Sequence, residues 1–60
     1  MNKNFNTITV MDYNCNEIRV FRNVNTDDPE KWLEEHDENW NDSQCYYMYG
    51  KDTEVNEYES

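Results

Sequence analysis

Thr7-Ile8-Thr9-Val10-Met11-Asp12-Tyr13-Asn14-Cys15-Asn16-Glu17-Ile18-Arg19-Val20-Phe21-Arg22 is the stretch on which the fold turns. From Phe5 to Asp12, Thr7 and Thr9 alternate with Ile8 and Val10, a period of two carried by strand-favouring side chains. From Glu17 to Arg22 the alternation resumes, with Ile18 and Val20 set between Glu17, Arg19 and Arg22 and interrupted only by Phe21. Between the runs, Asn14 and Asn16 suit a tight turn, because asparagine tolerates the left-handed backbone better than other non-glycine residues. The pattern predicts an antiparallel hairpin. Pairing Val10 with Ile18 and Ile8 with Val20 places these four on one face and Thr7, Thr9, Arg19 and Phe21 on the other.

Outward from the hairpin, Asp28-Pro29-Glu30 opens a helix. Aspartate caps the first turn, proline fits the first helical position, and an acid there complements the helix dipole. Over 29–40, Pro29, Trp32, Leu33, His36 and Trp40 fall on a stripe about 100° wide, with His36 as a packed ring between the two tryptophans. Docking that stripe on the hairpin builds the core. Cys45-Tyr46-Tyr47-Met48-Tyr49 reads as a third strand, ended by Gly50-Lys51-Asp52. The expected class is α+β: a ββαβ domain over 1–51, with one helix on one face of a small antiparallel sheet. Residues 52–60 read as an acidic tail rather than a fourth strand, because Val55 and Tyr58 do not share a strand face.

Sixty residues and 7.4 kDa allow one small domain. Aliphatic packing material is scarce, with one Leu, two Ile, four Val and no Ala. A chain of this length buries roughly 60% of the surface that its unfolded form exposes, so its core is marginal. That argues against a roomy catalytic cleft and favours a partner or self-association as a source of stability. No apolar run suits a signal peptide or a spanning helix. Cys15 and Cys45 are too few and too far apart for a disulfide framework, so they are expected as reduced thiols in a cytoplasmic chain.

The net charge of −9 is unevenly placed. Residues 1–26 carry +1, residues 27–42 carry −7, residues 43–51 carry +1 and residues 52–60 carry −4. Direct binding of nucleic acid or of anionic lipid is therefore disfavoured. Glu30, Glu34, Asp37 and Glu38 are expected on the helix side opposite the tryptophans, with Glu35 on the flank. Like charges three and four apart destabilise a helix by tenths of a kcal/mol per pair, and Lys31 alone offsets them. Four helical residues advance about 6 Å, near the roughly 7 Å between phosphates on one strand. Carboxylates at that pitch can stand in for a nucleic-acid backbone in a basic groove. In size, acidity, aromatic content and layout the chain resembles the small inhibitors encoded by phages and other mobile elements. That resemblance implies an anti-defence protein working in the host cytoplasm. Its targets would be host restriction, CRISPR or glycosylase enzymes, blocked by imitating DNA or covering a DNA-binding site.

Catalysis is not expected. His36 is the single histidine, and a Cys45–His36 pair lacks a third orienting group. Cys15, Cys45 and His36 lack zinc-ligand spacing. The acidic run 37–42 lacks the glycine and terminal glutamate of a calcium loop. No catalytic, cofactor or metal site is predicted. The expected function is that of a non-enzymatic acidic protein presenting Glu30, Glu34, Glu35, Asp37 and Glu38 to a basic, nucleic-acid-binding protein. The alternative is a small regulatory or structural module that binds a partner or itself through the tyrosine-rich strand. For that route a homodimer is expected, with Met11, Phe21, Tyr47 and Tyr49 as the hydrophobic interface.

Overall fold

The computed structural model describes residues 6–51 and 53–59. Strands β1 (Asn6–Asp12) and β2 (Glu17–Val24) form the hairpin, and the expected start at Phe5 lies outside the described residues. Helix α1 (Pro29–His36) follows, then β3 (Cys45–Gly50), giving ββαβ. β3 pairs antiparallel with the free side of β1, so the sheet order is β2-β1-β3 and the first strand is central. An Asx turn and a backbone turn, both at Asn41, bring the chain there. Asn41 accepts the Ser43 N–H at 3.0 Å, and the Asn41 carbonyl accepts the Cys45 N–H at 2.8 Å. The Tyr13 N–H then donates to the Gln44 carbonyl at 2.9 Å, tying the hairpin turn to the start of β3.

The hairpin register differs by one residue from the expected pairing. Asp12 pairs with Glu17, so Val10 faces Arg19 and Ile8 faces Phe21, while Met11 faces Ile18 and Thr9 faces Val20. The turn holds four residues because the Asp12 carboxylate organises it. Asp12 Oδ1 accepts the N–H groups of Asn14 (2.9 Å) and Cys15 (3.0 Å), and Asn16 closes the loop at φ 55°. A one-residue slip moves every side chain of a strand to the other face. Ile8 and Val10 thus meet the helix as expected, whereas Ile18 and Val20 face away from it and Phe21 turns inward.

A bulge restores the last residue of β2 to the core. Phe21 pairs with Ile8 and Val24 with Asn6, so Arg22 and Asn23 together oppose Thr7, with Asn23 at φ 63°. Without the extra residue Val24 would point away from the helix; with it, Val24 is buried. The core is Ile8, Val10, Val24, Leu33 and Cys45, bordered by Phe21, Trp32, Trp40 and Tyr49. Phe21 meets Trp32 edge-to-face at 5.5 Å. Tyr49 Oη donates to the Thr26 carbonyl (2.8 Å) and accepts the Thr26 N–H (3.2 Å), clamping the entry to α1 against β3.

The start of the helix is as expected, with Asp28 Oδ1 accepting the Lys31 N–H at 3.2 Å and proline in the first turn. Its end is not: α1 stops at His36 rather than residue 40. Asp37 adopts extended backbone (φ −106°, ψ 100°) while its N–H still bonds the Leu33 carbonyl. The cause is its side chain, drawn into an ion cluster described below. Trp40 therefore packs on the core from a turn, edge-on to Tyr47 at 6.0 Å. His36 is exposed rather than packed within the stripe, stacked on Trp32 at 4.3 Å with Nδ1 donating to the Trp32 carbonyl at 2.9 Å.

Residues 53–59 form neither helix nor strand. The Cα framework measures 39 × 30 × 13 Å, the thickness of one sheet and one helix layer. No helix among the described residues is long and apolar enough to cross a membrane.

Candidate functional site

Three groups of polar or exposed side chains carry the chemical content of the chain, and the fold separates them. The first is internal. Arg19, on β2, points under the helix side of the sheet and its side chain is only 11% exposed. Nη1 donates to Asp12 Oδ2 at 2.7 Å and to Glu17 Oε1 at 2.9 Å. Nε and Nη2 both donate to Asp37 Oδ2, at 3.0 and 2.9 Å. Asp37 Oδ1 accepts the Asn39 N–H at 3.1 Å, which shapes the exit from α1. A planar guanidinium can serve three carboxylates in this way because its donors are spread over a fixed fork. One arginine thus joins the hairpin turn, β2 and the helix end.

The electrostatics follow from those bonds. The Arg19 guanidinium, helped by the Cys15 and Asn14 N–H groups, holds the Asp12 carboxyl well below the usual carboxylate range against the opposing effect of burial. Burial works against the charge on Arg19, but its hydrogen bonds to Asp12, Asp37 and Glu17 outweigh that and raise its pKa. The exposed Cys15 thiol is pushed up, first by its hydrogen bond to the Asp12 carboxylate and then by desolvation. Ligand atoms of Asp12, Cys15 and Glu17 lie within 4.8 Å of one another. Arg19 already supplies the cation for both carboxylates, and a thiol held protonated is a poor metal ligand.

Because the folded pKa of Asp12 is depressed, its contribution to stability is complete above the unfolded value of about 4 and is lost as pH falls below it. Thermal melts followed by circular dichroism are expected to show a midpoint that declines below about pH 4. A midpoint that instead rises on acidification would mean that relief of charge repulsion outweighs the Arg19 cluster.

The second group is the acidic surface of 27–42. Asp27, Asp28, Glu30, Glu34, Glu35, Glu38 and Asp42 are all exposed. The one base in the segment, Lys31, reaches Glu35 at 4.0 Å with both side chains in solvent, a pairing worth little. Of the five acids expected to bind a partner, Glu30, Glu34 and Glu35 stand on α1 and Glu38 stands in the turn after it. Asp37 is not among them: it is buried against Arg19. The regular four-residue pitch therefore covers Glu30 and Glu34 only, and Glu38 extends the acidic surface without continuing the helical repeat.

The third group is the face of the sheet turned away from α1. Side-by-side partners in an antiparallel ladder share a face, which groups Ile18, Met11 and Tyr46 in one row and Val20, Thr9 and Met48 in the next. Met11, Ile18, Tyr46 and Met48 are 44, 62, 57 and 56% exposed. Tyr13 extends this face, meeting Tyr46 edge-to-face at 5.6 Å. Of the four residues expected to form a hydrophobic interface, Met11 alone lies on this face. Phe21, Tyr47 and Tyr49 lie on the helix side, in the rows of Ile8 and Val10: Phe21 because of the hairpin slip, Tyr47 and Tyr49 because β3 pairs with β1 in the register that sets them beside Val10 and Ile8. Ile18, Tyr46 and Met48 take their places. The alternation Cys45/Tyr47/Tyr49 against Tyr46/Met48 was visible in the sequence, but the assignment of each set to a face was not. Compared with protein-family models, curated proteins and solved structures, the chain matches none of them.

Proposed function

We propose that this chain is a non-enzymatic interaction protein that seats the acidic surface of 27–42 on the basic, nucleic-acid-binding surface of another protein. The observation that carries the reading is the imbalance left after folding. Seven exposed carboxylates face solvent in this segment against Lys31, while Asp37 is the one acid taken inside. Single-sign crowding destabilises the helix that carries it, and a surface that steers toward a basic groove offsets that cost in association with its partner. Occupying such a groove excludes nucleic acid, which is how the phage-encoded inhibitors that the chain resembles act. The absence of catalysis is part of the same proposal. It is supported by the state of the candidate groups: His36 is engaged with Trp32, Cys45 is buried, and the Cys15 thiol is held protonated.

The test is capture of basic proteins from a bacterial lysate on the immobilised chain, at about 50 and about 500 mM salt, with duplex DNA as competitor. Nucleic-acid-binding proteins should be retained at low salt, released at high salt and displaced by DNA. Glu34→Lys with Glu38→Lys should cut retention at least tenfold, and circular dichroism should report an intact fold because both side chains are exposed. Retention indifferent to salt and to this reversal would overturn the proposal.

A further inference from the structure

We infer that the open sheet face is the contact surface between two copies of this chain, joined about a twofold axis. Two rows of the ladder, Ile18–Met11–Tyr46 and Val20–Thr9–Met48, form its floor, and Tyr13 forms its rim. No charged residue lies in those rows. With exposures of 44–65% on side chains of roughly 150–250 Å² each, Met11, Tyr13, Ile18, Tyr46 and Met48 leave on the order of 500 Å² open. Two copies therefore remove on the order of 1,000 Å² from water through these side chains alone, the size at which specific interfaces begin.

The area matches what a dimer of two copies needs, and the placement of charge does not oppose it. Each chain carries −9, and two such chains repel wherever their acidic surfaces meet. At the open face the carboxylates of Glu17 and Glu54 flank the two rows at their ends rather than lie in them, and the acids of α1 lie on the other side of a body 13 Å thick. That separation exceeds the Debye length of about 8 Å at physiological salt. At the end away from the hairpin turn Thr7 is buried and lines a polar hollow with Arg22, Lys51, Thr53 and Glu54, which bounds the apolar rows. Toward the hairpin turn, a hollow of about 260 Å³ is lined by Met11, Tyr13 and Ile18 together with Asp12, Asn16 and Glu17, both carboxylates being bonded to Arg19. An aromatic or methionine side chain from the second copy fits such a socket, the usual anatomy of an interface anchor. Face-to-face packing of two sheets about 10 Å apart gives a four-layer helix–sheet–sheet–helix particle with a dry centre. It leaves both acidic surfaces outward, so this inference stands independently of what those surfaces bind.

The experiment is sedimentation equilibrium of the full chain under reducing conditions, which keeps the exposed Cys15 from linking copies. The expected species has twice the mass of the 7.4 kDa chain, and its dissociation constant falls as salt rises, because screening weakens the repulsion between copies. Capture of a basic protein weakens under the same change, so the two behaviours are distinguishable. Ile18→Glu with Met48→Glu is expected to weaken dimerisation at least about 100-fold by burying unpaired charge. The single variant Ile18→Lys, at a side chain already in solvent, serves if the double variant does not fold. Glu34→Lys with Glu38→Lys should leave the dimer intact. A wild-type monomer at about 500 µM, or a dimer indifferent to both sets of open-face variants, would overturn the inference.

Discussion

Arg19→Ala is expected to unfold the chain. The substitution leaves the carboxylates of Asp12 and Asp37 buried without their cation, with side-chain exposures of 0 and 4%. Removing one partner of a buried ion pair costs about 3–5 kcal/mol, because the remaining charge stays desolvated and unpaired. A 60-residue domain holds only about 3–9 kcal/mol in total at ordinary per-residue stability. Loss of the far-ultraviolet signature of the sheet and of dispersed amide resonances would report the effect. Arg19→Lys should recover little, since a single ammonium cannot serve Asp12, Glu17 and Asp37 together from one position. Arg19→Met combined with Asp12→Asn and Asp37→Asn should recover part of the stability, because no buried charge is then orphaned. An Arg19→Ala chain that melts within about 1 kcal/mol of wild type would show that water reaches these carboxylates and the cluster is not a structural joint.

Leu33→Ala is the second large effect. Leu33 is the one leucine of the chain, fully buried, and it forms the helix contribution to the cluster of Ile8, Val10, Val24 and Cys45. Truncations of this kind cost about 2–5 kcal/mol, the upper end applying where neighbours cannot collapse into the space. Four small or medium partners held by a sheet cannot follow the missing atoms. Urea titration should place the midpoint of Leu33→Ala at or below the onset of the wild-type transition, with Leu33→Met losing less than about 1.5 kcal/mol. Trp32→Ala should cost less than Leu33→Ala. Trp32 is half-buried at the edge of the core between Phe21 and His36, so its site opens to water rather than leaving a sealed cavity. Equal midpoints for the wild type and Leu33→Ala would mean that α1 is not docked through this residue.

These two residues show what was legible beforehand. The place of Leu33 on the buried stripe followed from helical spacing, a local property of 29–36. The role of Arg19 did not. In Glu17-Ile18-Arg19-Val20-Phe21, either Ile18 and Val20 or Arg19 and Phe21 can face inward, and the larger apolar pair is the natural choice. The turn overrode it by one residue, through the hydrogen bonds of Asp12 to Asn14 and Cys15. The available signal was Asp12 followed by two asparagines, a side chain able to bind the backbone of its own turn and lengthen the loop. The same slip puts Ile18 rather than Phe21 beside Met11 on the open face, while the register of β3 against β1 puts Tyr46 and Met48 there rather than Tyr47 and Tyr49. The acidic surface was easier to read, because exposure of a glutamate on a helix follows from its angle to the stripe; Asp37 escaped because the helix ended before it.

The sequence alone determined the element types and their order: two alternating strands about an asparagine-rich turn, an Asp-Pro-capped helix and an aromatic strand, with the charge gathered in 27–42. Each rests on interactions between residues a few positions apart, so spacing and propensity suffice to specify it. The tertiary structure alone decided the bulge at Arg22–Asn23, the stop at His36 and the face that β3 turns to the helix, and together with the register set by the Asp12 turn these decide which apolar residues face water. These depend on Arg19 meeting Asp37, 18 positions away, and on β3 pairing with β1 across the whole chain. A buried guanidinium needs its carboxylates wherever they lie in sequence, and satisfying it outweighed the inward placement of Ile18 and Val20.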